Sequence, residues 1–383
     1  MSHKQFNKSR VLTLSSAHMV HDIYSSFLAP LLPLLIEKLG ISLSLSAFLD
    51  ISRRIPALLN PFFGLLAEKT GAKYFVILTP AATAISMGLI GCAPSYPVLF
   101  ILLFVSGISS ALFHIPSPVL IKEAAGNRVG AGMSCFMVGG ESARTLGPLL
   151  VTAAVSLWGI EGTYRLIPLG IIASLILYVK LKDIDQFRPV KKPAEKGDTK
   201  KLLKKYRTFF SVIAIYLLFQ SGMKSALTLY LPVYLTNQGE SLWYAGISLS
   251  MLQLFGVIGT FLAGYFSDKI GRHSTLVIAS IGSTIFMGLF VYLGNIYMLA
   301  FLGLFLFASG PVLMATIQDT NSHMPTFMNS IYMSINFGVS SIIVFTVGTL
   351  GDNYGLSFTY ILCSIAAIGC IPAACLLNKF KNN

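Results

Sequence analysis

Residues 264–272, which read Gly-Tyr-Phe-Ser-Asp-Lys-Ile-Gly-Arg, decide the fold. A related stretch at residues 64–73 reads Gly-Leu-Leu-Ala-Glu-Lys-Thr-Gly-Ala-Lys. Each has a glycine, then an acid, a lysine and a second glycine, and each lies between two long apolar runs. One copy alone would indicate a charged turn between helices, because glycines and charged residues commonly mark helix ends. Two copies at corresponding positions indicate an internal repeat.

The composition predicts an integral membrane protein. Of the 383 residues, 54% are hydrophobic and 11% are charged, whereas about 25% are charged in an average soluble domain. The net charge of +13 would suggest nucleic acid as a partner of a soluble protein. In a membrane protein it indicates orientation, since Lys and Arg concentrate in cytoplasmic loops. We therefore expect the protein to lie in a lipid bilayer and not to bind nucleic acid.

Apolar runs long enough to cross a bilayer predict twelve transmembrane helices in two pseudo-symmetric six-helix halves, an all-α fold. The only long polar stretch, 182–207, holds ten Lys or Arg residues and four acids and is predicted to be a basic cytoplasmic linker. The predicted domains are 1–181, 182–207 and 208–383. The runs themselves are 11–38, 43–67, 74–93, 97–121, 129–157, 162–181, 208–235, 242–266, 274–293, 296–318, 327–350 and 356–377.

The distribution of positive charge predicts the orientation. With the linker inside, cytoplasmic segments hold 22 of the 28 Lys and Arg residues, and the opposite side holds only Lys38 and Arg165. Both termini are therefore predicted to be cytoplasmic, in a multi-pass protein of the plasma (inner) membrane.

The repeat, the two six-helix halves and the basic central loop resemble the major facilitator superfamily. The motif of that superfamily reads Gly-x-Leu-Ala-Asp-Arg/Lys-x-Gly-Arg/Lys and acts as a cytoplasmic gate latch. The second copy matches it through Gly264, Asp268, Lys269, Gly271 and Arg272. The first copy has a glutamate in place of the aspartate and a displaced basic residue; its corresponding positions are Gly64, Glu68, Lys69, Gly71 and Lys73.

The resemblance also implies partners for the two acids. Glu68 would lie near the start of the eleventh helix (326–327), and Asp268 near the start of the fifth (129–130). A carboxylate is attracted to the positive N-terminus of a helix. We expect the latch at Asp268 to be the better formed, since its copy is the closer match.

A narrower resemblance is to the fosmidomycin-resistance efflux branch of the superfamily. That branch has a His…Asp first helix, a Ser-Ser-x-Phe-His-Pro fourth helix and a Gly-Gly…Gly-Pro-Leu-Leu fifth helix. The corresponding stretches here are residues 16–22, 107–116 and 132–150. Two departures are Ile115, between the histidine and the proline, and the Arg53-Arg54 pair, so the substrate can differ from the antibiotic that named the branch.

Ionisable residues inside membrane spans mark functional sites. His18, His21 and Asp22 on the first helix are spaced three and four residues apart and share one face. Three interpretations stay open: hydrogen bonding within the bundle, a metal site that could include His114, and proton and substrate handling. Imidazole and carboxylate suit divalent cations, and histidine changes charge near neutral pH. We favour proton and substrate handling, with His114, Glu141 and Arg144 as further members of the set, and we expect no bound metal or cofactor.

Three further sites carry buried charge. Glu141 and Arg144 lie one turn apart on the fifth helix, either as a self-neutralising pair or as a pair that switches when Glu141 exchanges a proton. Arg53 and Arg54 diverge by about 100°, so one should meet Asp50 and the other line the cavity; we select Arg53 as a substrate anchor. Lys224 is the second predicted anchor, with Gln220, Tyr230 and Tyr234 as a polar wall. These cations favour an anionic or zwitterionic substrate.

The sequence thus predicts a proton-coupled exporter of a small anionic or amphipathic molecule, acting as a monomer by alternating access. Uptake by symport and transport of a metal or metal chelate are the alternatives. No phosphate-binding loop of the ATPase type occurs, so ATP is not the expected energy source. A membrane metal enzyme would need more than the six histidines present, and a sensor would need a soluble signalling domain, so we expect no enzyme.

Overall fold

The computed structural model describes residues 6–60, 63, 72–126, 129–182, 198–320 and 325–377. The first copy of the repeated motif lies outside these residues, apart from Ala72 and Lys73. Most of the predicted linker also lies outside, but its last part forms a short helix, Asp198–Lys205.

The chain divides into two compact units. The first contains Met1–Ile41, Phe48–Lys191 and Gly239–Ser250. Its most extensive helix contacts join Lys8–Ser25 to Val129–Trp158 and Ala72–Gly88 to Ile167–Leu181. The helices are α1 Lys8–Ser25, α2 Leu28–Leu39, α3 Leu43–Arg54, α4 Ala72–Gly88, α5 Tyr96–His114, α6 Ser117–Ala125, α7 Val129–Trp158 and α8 Ile167–Leu181.

The second compact unit contains Ser42–Ala47, Lys192–Gln238 and Met251–Asn383. The two units do not follow the predicted halves throughout. The first turn of α3 groups with the second unit, and the first turns of the helix Leu242–Ile270 group with the first unit. The predicted domain boundaries stay a prediction. The helices are α9 Asp198–Lys205, α10 Arg207–Ser225, α11 Leu231–Asn237, α12 Leu242–Ile270, α13 Arg272–Leu293, α14 Tyr297–Gln318, α15 Pro325–Ala367 and α16 Cys370–Leu377.

Within the described ranges, nine helical segments are long and apolar enough to cross a membrane. The last of them, Ile331–Leu377, covers two predicted spans, which are separated by a break in α15 at Gly355, where φ is 80°. The predicted second span is only partly described. Large apolar side chains such as Leu175, Ile176 and Val179 are exposed, as expected for surfaces that face lipid.

The first span is broken near its middle. Helix α1 ends at Ser25 and α2 begins at Leu28. Pro30 explains the break, because a proline has no N–H to donate to the carbonyl of Ser26, four residues earlier. One buried hydrophobic cluster of the first unit lies on the α1 side of this break and includes Leu14, Phe113 and Phe136.

A remote carboxylate caps the amino end of α3 within the second unit. Asp352 accepts hydrogen bonds from the backbone N–H of Leu43 at 2.7 Å and of Ser44 at 2.9 Å. The Tyr230 hydroxyl donates to the Leu43 carbonyl at 2.9 Å. The first N–H groups of a helix have no partner inside it, and an acid there also complements the helix dipole.

Replacing Asp352 by alanine is expected to lower the free energy of unfolding by about 0.5–2 kcal/mol, because two N–H groups lose their acceptor. Asp352→Asn retains one side-chain oxygen and should lose less. Thermal unfolding of the purified full-length protein in detergent measures both variants. Equal midpoints for wild type and Asp352→Ala would show that solvent replaces the cap.

Candidate functional site

Asp22 lies at the centre of a buried cluster in the first unit, just before the break in the first span. Three histidines surround its carboxylate. His21 Nδ1 lies 2.8 Å from Oδ1, His18 Nε2 lies 3.2 Å from Oδ2, and His114 Nε2 lies 3.2 Å from Oδ1. The side chains of His18 and His21 are 6% and 0% exposed, whereas that of His114 is 41% exposed. His114 is therefore the one histidine of this cluster whose side chain is substantially exposed.

The backbone of α7 fixes the orientation of His18. Its Nδ1 lies 2.8 Å from the carbonyl oxygen of Phe136, and its ring stacks on that of Phe136 with centroids 4.0 Å apart. A carbonyl oxygen only accepts hydrogen bonds, so Nδ1 carries a proton and donates it. Nε2 is therefore the nitrogen that faces Asp22.

Two glycines of α7 make this approach possible. A Cβ on Gly140 would lie closer than 3.0 Å to two ring atoms of His18, Cε1 and Nε2. A Cβ on Gly139 would lie closer than 3.0 Å to the carbonyl oxygen of Ser15. The Gly139-Gly140 pair thus lets α7 and α1 pack in direct backbone contact, with the imidazole against the helix.

A chain of hydroxyl groups fixes the orientation of His21. Ser109 Oγ donates to the Thr79 carbonyl at 3.0 Å, Thr83 Oγ1 lies 2.7 Å from Ser109 Oγ, and His21 Nε2 lies 3.0 Å from Thr83 Oγ1. With the Ser109 proton on the carbonyl, Thr83 donates to Ser109 and His21 Nε2 donates to Thr83. His21 Nδ1 is then the nitrogen that faces Asp22, and its ring stacks on Phe113 at 4.4 Å.

These orientations determine how many protons the cluster needs. If His18 and His21 were neutral and Asp22 ionised, lone pairs on His18 Nε2 and His21 Nδ1 would face the two carboxylate oxygens. Each of these contacts requires a proton, or a cation, to be attractive. Two added protons shared among His18, His21 and Asp22 satisfy both. Protons or a cation can therefore satisfy this cluster, so the proton and the metal interpretations both stay open.

The same cluster has the donor atoms of a divalent-cation site. One ligand atom each from His18, Asp22 and His114 lies within 4.8 Å of the other two. Two imidazoles and a carboxylate suit a transition metal, and the Phe136 carbonyl would orient His18 as metal-bound histidines are oriented. The metal interpretation from the sequence thus stays open.

Glu141 and Arg144 form an ion pair on α7. Arg144 Nη1 donates to Glu141 Oε1 at 3.2 Å and to Oε2 at 3.1 Å. The arginine side chain is 50% exposed and the glutamate 17%. The geometry is that of a self-neutralising pair, one of the two interpretations considered above, and a switching role stays a prediction.

Arg53 and Arg54 differ from the expectation, because both contact Asp50. Arg53 Nη2 lies 3.1 Å from Asp50 Oδ1, and Arg54 Nη2 lies 2.7 Å from Oδ2. Arg53 Nη1 also donates to the Ser25 carbonyl at the break in the first span. Long flexible side chains can converge on one acid even when their Cα–Cβ bonds diverge. The expected separation of Arg53 and Arg54 considered only the angle of about 100° between these bonds.

The predicted polar wall around Lys224 differs as well. Lys224 belongs to the second unit, and its ammonium lies 5.7 Å from the ring centroid of Phe307. Gln220, Tyr230 and Tyr234 are buried; Gln220 donates to the Leu306 carbonyl at 3.1 Å, and Tyr234 stacks on Tyr360 at 4.1 Å. These three side chains are used in packing, because helix α10 and its π-helical continuation Ala226–Tyr230 lie deep in the unit.

The second copy of the repeated motif forms a compact polar turn. Gly271 has φ 90°, a backbone conformation that favours glycine. Arg272 pairs with Asp268 and also with Asp319, whose Oδ2 lies 3.1 Å from Nε. Lys269 lies over the ring of Tyr265 at 4.3 Å. The predicted contact of Asp268 with the start of the fifth helix stays a prediction, as does the role of Glu68, which lies outside the described residues.

Sequence reasoning assigned no role in the site to Thr83, to the Ser109 hydroxyl or to the Phe136 carbonyl. Thr79, Thr83 and Ser86 recur at helical spacing in an otherwise apolar run, which is the signal that could have indicated a polar face. A backbone carbonyl leaves no signal in the sequence.

A family model described as the Major Facilitator Superfamily matches residues 14–344. The chain belongs to the major facilitator superfamily. Among its relatives in the superfamily, the multi-drug resistance efflux pump PmrA of Streptococcus pneumoniae serotype 4 is 24% identical over 371 residues, 93% of this chain and 92% of PmrA. The fosmidomycin resistance protein of Escherichia coli K12 is 21% identical over 362 residues, 92% of this chain and 88% of its own.

Solved structures of superfamily transporters share the fold. A bacterial homolog of the human lysosomal transporter Spinster superposes with a TM-score of 0.79 at 14% identity, over 98% of both chains. A D-xylose-proton symporter superposes with a TM-score of 0.74 at 16% identity, over 97% of both. The predicted superfamily and the all-α membrane fold are thereby confirmed, and twelve helices fit this fold. The chain is a multi-pass membrane transporter with efflux pumps among its relatives, and its family and fold are those of transporters.

Proposed function

We propose that this superfamily member exchanges protons for a small anionic or amphipathic molecule by alternating access, and that it moves the molecule out of the cell. The observation that carries the proposal is Asp22, buried and contacted by three histidines. The protein would act as a monomer in the inner membrane, with both termini in the cytoplasm.

His114 is the member of the cluster through which protons would pass. Its side chain is the most exposed of the three imidazoles, and its Nε2 lies 3.2 Å from Asp22 Oδ1. His18 and His21 hold the carboxylate from the buried side, each tied to a second helix through its other nitrogen. Loss of protons from the cluster would turn lone pairs toward the carboxylate oxygens, so the deprotonated form favours a different arrangement of the helices that carry them.

Glu141, which is partly buried, and Arg144, which is exposed, lie on the same helix as the Phe136 carbonyl. Protonation of Glu141 would release Arg144 for an anionic substrate group, which links proton uptake on α7 to substrate binding.

The experiment is substrate-induced proton movement in proteoliposomes that enclose a pH-sensitive dye. The compound is added outside, with fosmidomycin first and then other phosphonates, carboxylates and amphipathic molecules. Antiport makes the interior more alkaline as the compound enters, because protons leave in exchange, whatever the orientation of the protein.

Three other results would change the conclusion. Acidification of the interior would indicate symport and therefore uptake. Compound flux without a proton signal would exclude proton coupling. Flux that requires an added divalent cation and stops with a chelator would favour the metal interpretation of His18, Asp22 and His114.

A further inference from the structure

The charges of three side chains near the end of α3 do not sum to zero. Asp50 is the only acid paired with Arg53 and Arg54 among the described residues, so this group carries one surplus positive charge. Arg54 lies eleven residues after the start of α3 at Leu43. At 1.5 Å per residue this is about 17 Å along the helix, near the middle of a hydrocarbon core about 30 Å thick.

The two arginines have different surroundings. Arg53 is 24% exposed and is held twice, by Asp50 and by the Ser25 carbonyl at the break in the first span. It therefore connects α3 to the helix that carries Asp22. Arg54 is 42% exposed, and its one ion pair in the described structure is with Asp50, which is 2% exposed. With respect to the part of the chain that the structure describes, most of the N–H groups of Arg54 thus remain available.

Two other acids in the first unit's membrane spans, Asp22 and Glu141, are engaged elsewhere. Asp22 is contacted by His18, His21 and His114, and Glu141 by Arg144. An exposed guanidinium at mid-depth is costly against lipid and is therefore expected to face a water-accessible path. Its planar set of donors matches the two oxygens of a carboxylate or phosphonate.

We propose that Arg54 binds the anionic group, a carboxylate or phosphonate, of the molecule that this protein transports, and that Arg53 is a positioning residue. The ligand would supply the negative charge that the Asp50, Arg53 and Arg54 group lacks. This inference rests on the proposed function in that it assigns a contact to the transported molecule. It replaces Arg53 with Arg54 as the predicted substrate anchor on this helix.

The test measures anion binding to the purified full-length protein in neutral detergent, and the midpoint of thermal unfolding is the readout of binding. Phenylphosphonate is the probe, and benzyl alcohol is its uncharged counterpart. A ligand that binds the folded state raises the unfolding midpoint as its concentration increases. Wild type should be stabilised by phenylphosphonate and not by benzyl alcohol. Arg54→Gln should weaken the apparent affinity by about 10- to 100-fold, the loss expected for charge-assisted hydrogen bonds.

Two further variants make the result specific. Arg54→Lys retains the charge but not the planar donor set, and should keep part of the affinity; it also serves if Arg54→Gln fails to fold. Arg165→Gln removes a positive charge that stacks on Trp158 at 5.4 Å, far from this group in the sequence, and should bind phenylphosphonate like wild type.

Several outcomes would overturn the assignment of Arg54. These are a wild type that phenylphosphonate does not stabilise, equal affinity in Arg54→Gln, and an equal loss in Arg165→Gln. An effect of added phosphatidylglycerol that Arg54→Gln abolishes, without one of phenylphosphonate, would assign Arg54 to a lipid headgroup instead. Proton movement in proteoliposomes is measured separately. If the wild type binds phenylphosphonate but moves no protons, antiport is contradicted and the Arg54 contact is not. If the wild type moves protons but does not bind phenylphosphonate, only the Arg54 contact is contradicted.

Discussion

Asp22→Asn is expected to abolish proton movement coupled to transport while the protein still folds in the membrane. Asparagine has the shape of aspartate, but it cannot carry the negative charge or accept a proton in exchange. Its amide can still donate to one of the imidazole nitrogens that face Asp22 at 2.8 and 3.2 Å. The cluster therefore keeps at least one of these polar contacts, whereas the exchangeable proton of the carboxyl group is lost.

The dye-loaded proteoliposomes described above provide the measurement, with thermal unfolding as the check on folding. Glu161→Gln is the matched control, because it makes the same change of acid to amide at an exposed carboxylate that pairs with Lys38 at 2.8 Å. Glu161→Gln should transport like wild type. Proton movement of normal size in Asp22→Asn would exclude Asp22 as the coupling residue.

Gly139→Ala is expected to destabilise the first unit by about 1–3 kcal/mol, the range for overpacking a filled interior. The added Cβ would lie closer than 3.0 Å to the Ser15 carbonyl oxygen, a backbone atom of α1 that cannot rotate away. Helices α1 and α7 would have to separate, and His18 would move with α1. The unfolding midpoint should fall, and coupled proton movement should fall with it.

Gly310→Ala is the matched control for Gly139→Ala. Gly310 also lies inside a helix, α14, but a Cβ there would have no atom within 4 Å. Alanine favours helix over glycine by up to about 1 kcal/mol, so this variant should unfold at the same temperature as wild type or slightly higher. A midpoint for Gly139→Ala equal to that of Gly310→Ala would show that α1 and α7 can adjust without cost.

Helical spacing predicted the part of the site that lies on one helix. His18, His21 and Asp22 are three or four residues apart, and a period of 3.6 places them on one face whatever surrounds them. The superfamily resemblance brought in His114, because it gave the fourth helix its place in a known arrangement. The membrane spans could be predicted from the lengths of the apolar runs, because the thickness of the bilayer fixes the length that a spanning helix needs.

Contacts between helices could not be predicted in this way. The sequence places Arg53 and Arg54 on diverging directions of α3, yet both side chains reach Asp50 because each has four rotatable bonds to use. Gln220 and Tyr234 were expected to line a polar wall, but a polar residue in a span can equally satisfy its hydrogen bonds inside the bundle. Which of these occurs depends on neighbours that are distant in sequence.

The bond between His18 and the Phe136 carbonyl has a consequence for mutational studies of this transporter. The carbonyl that holds Nδ1 belongs to the main chain, so replacing the Phe136 side chain leaves the acceptor in place. A scan of side chains would register lost ring stacking at this position and would overlook the hydrogen bond. The side chain at 136 can therefore diverge between relatives while the proton on His18 stays on the same nitrogen. Selection on the side chain can act instead at Gly139 and Gly140, because the small size of these residues brings α1 and α7 together.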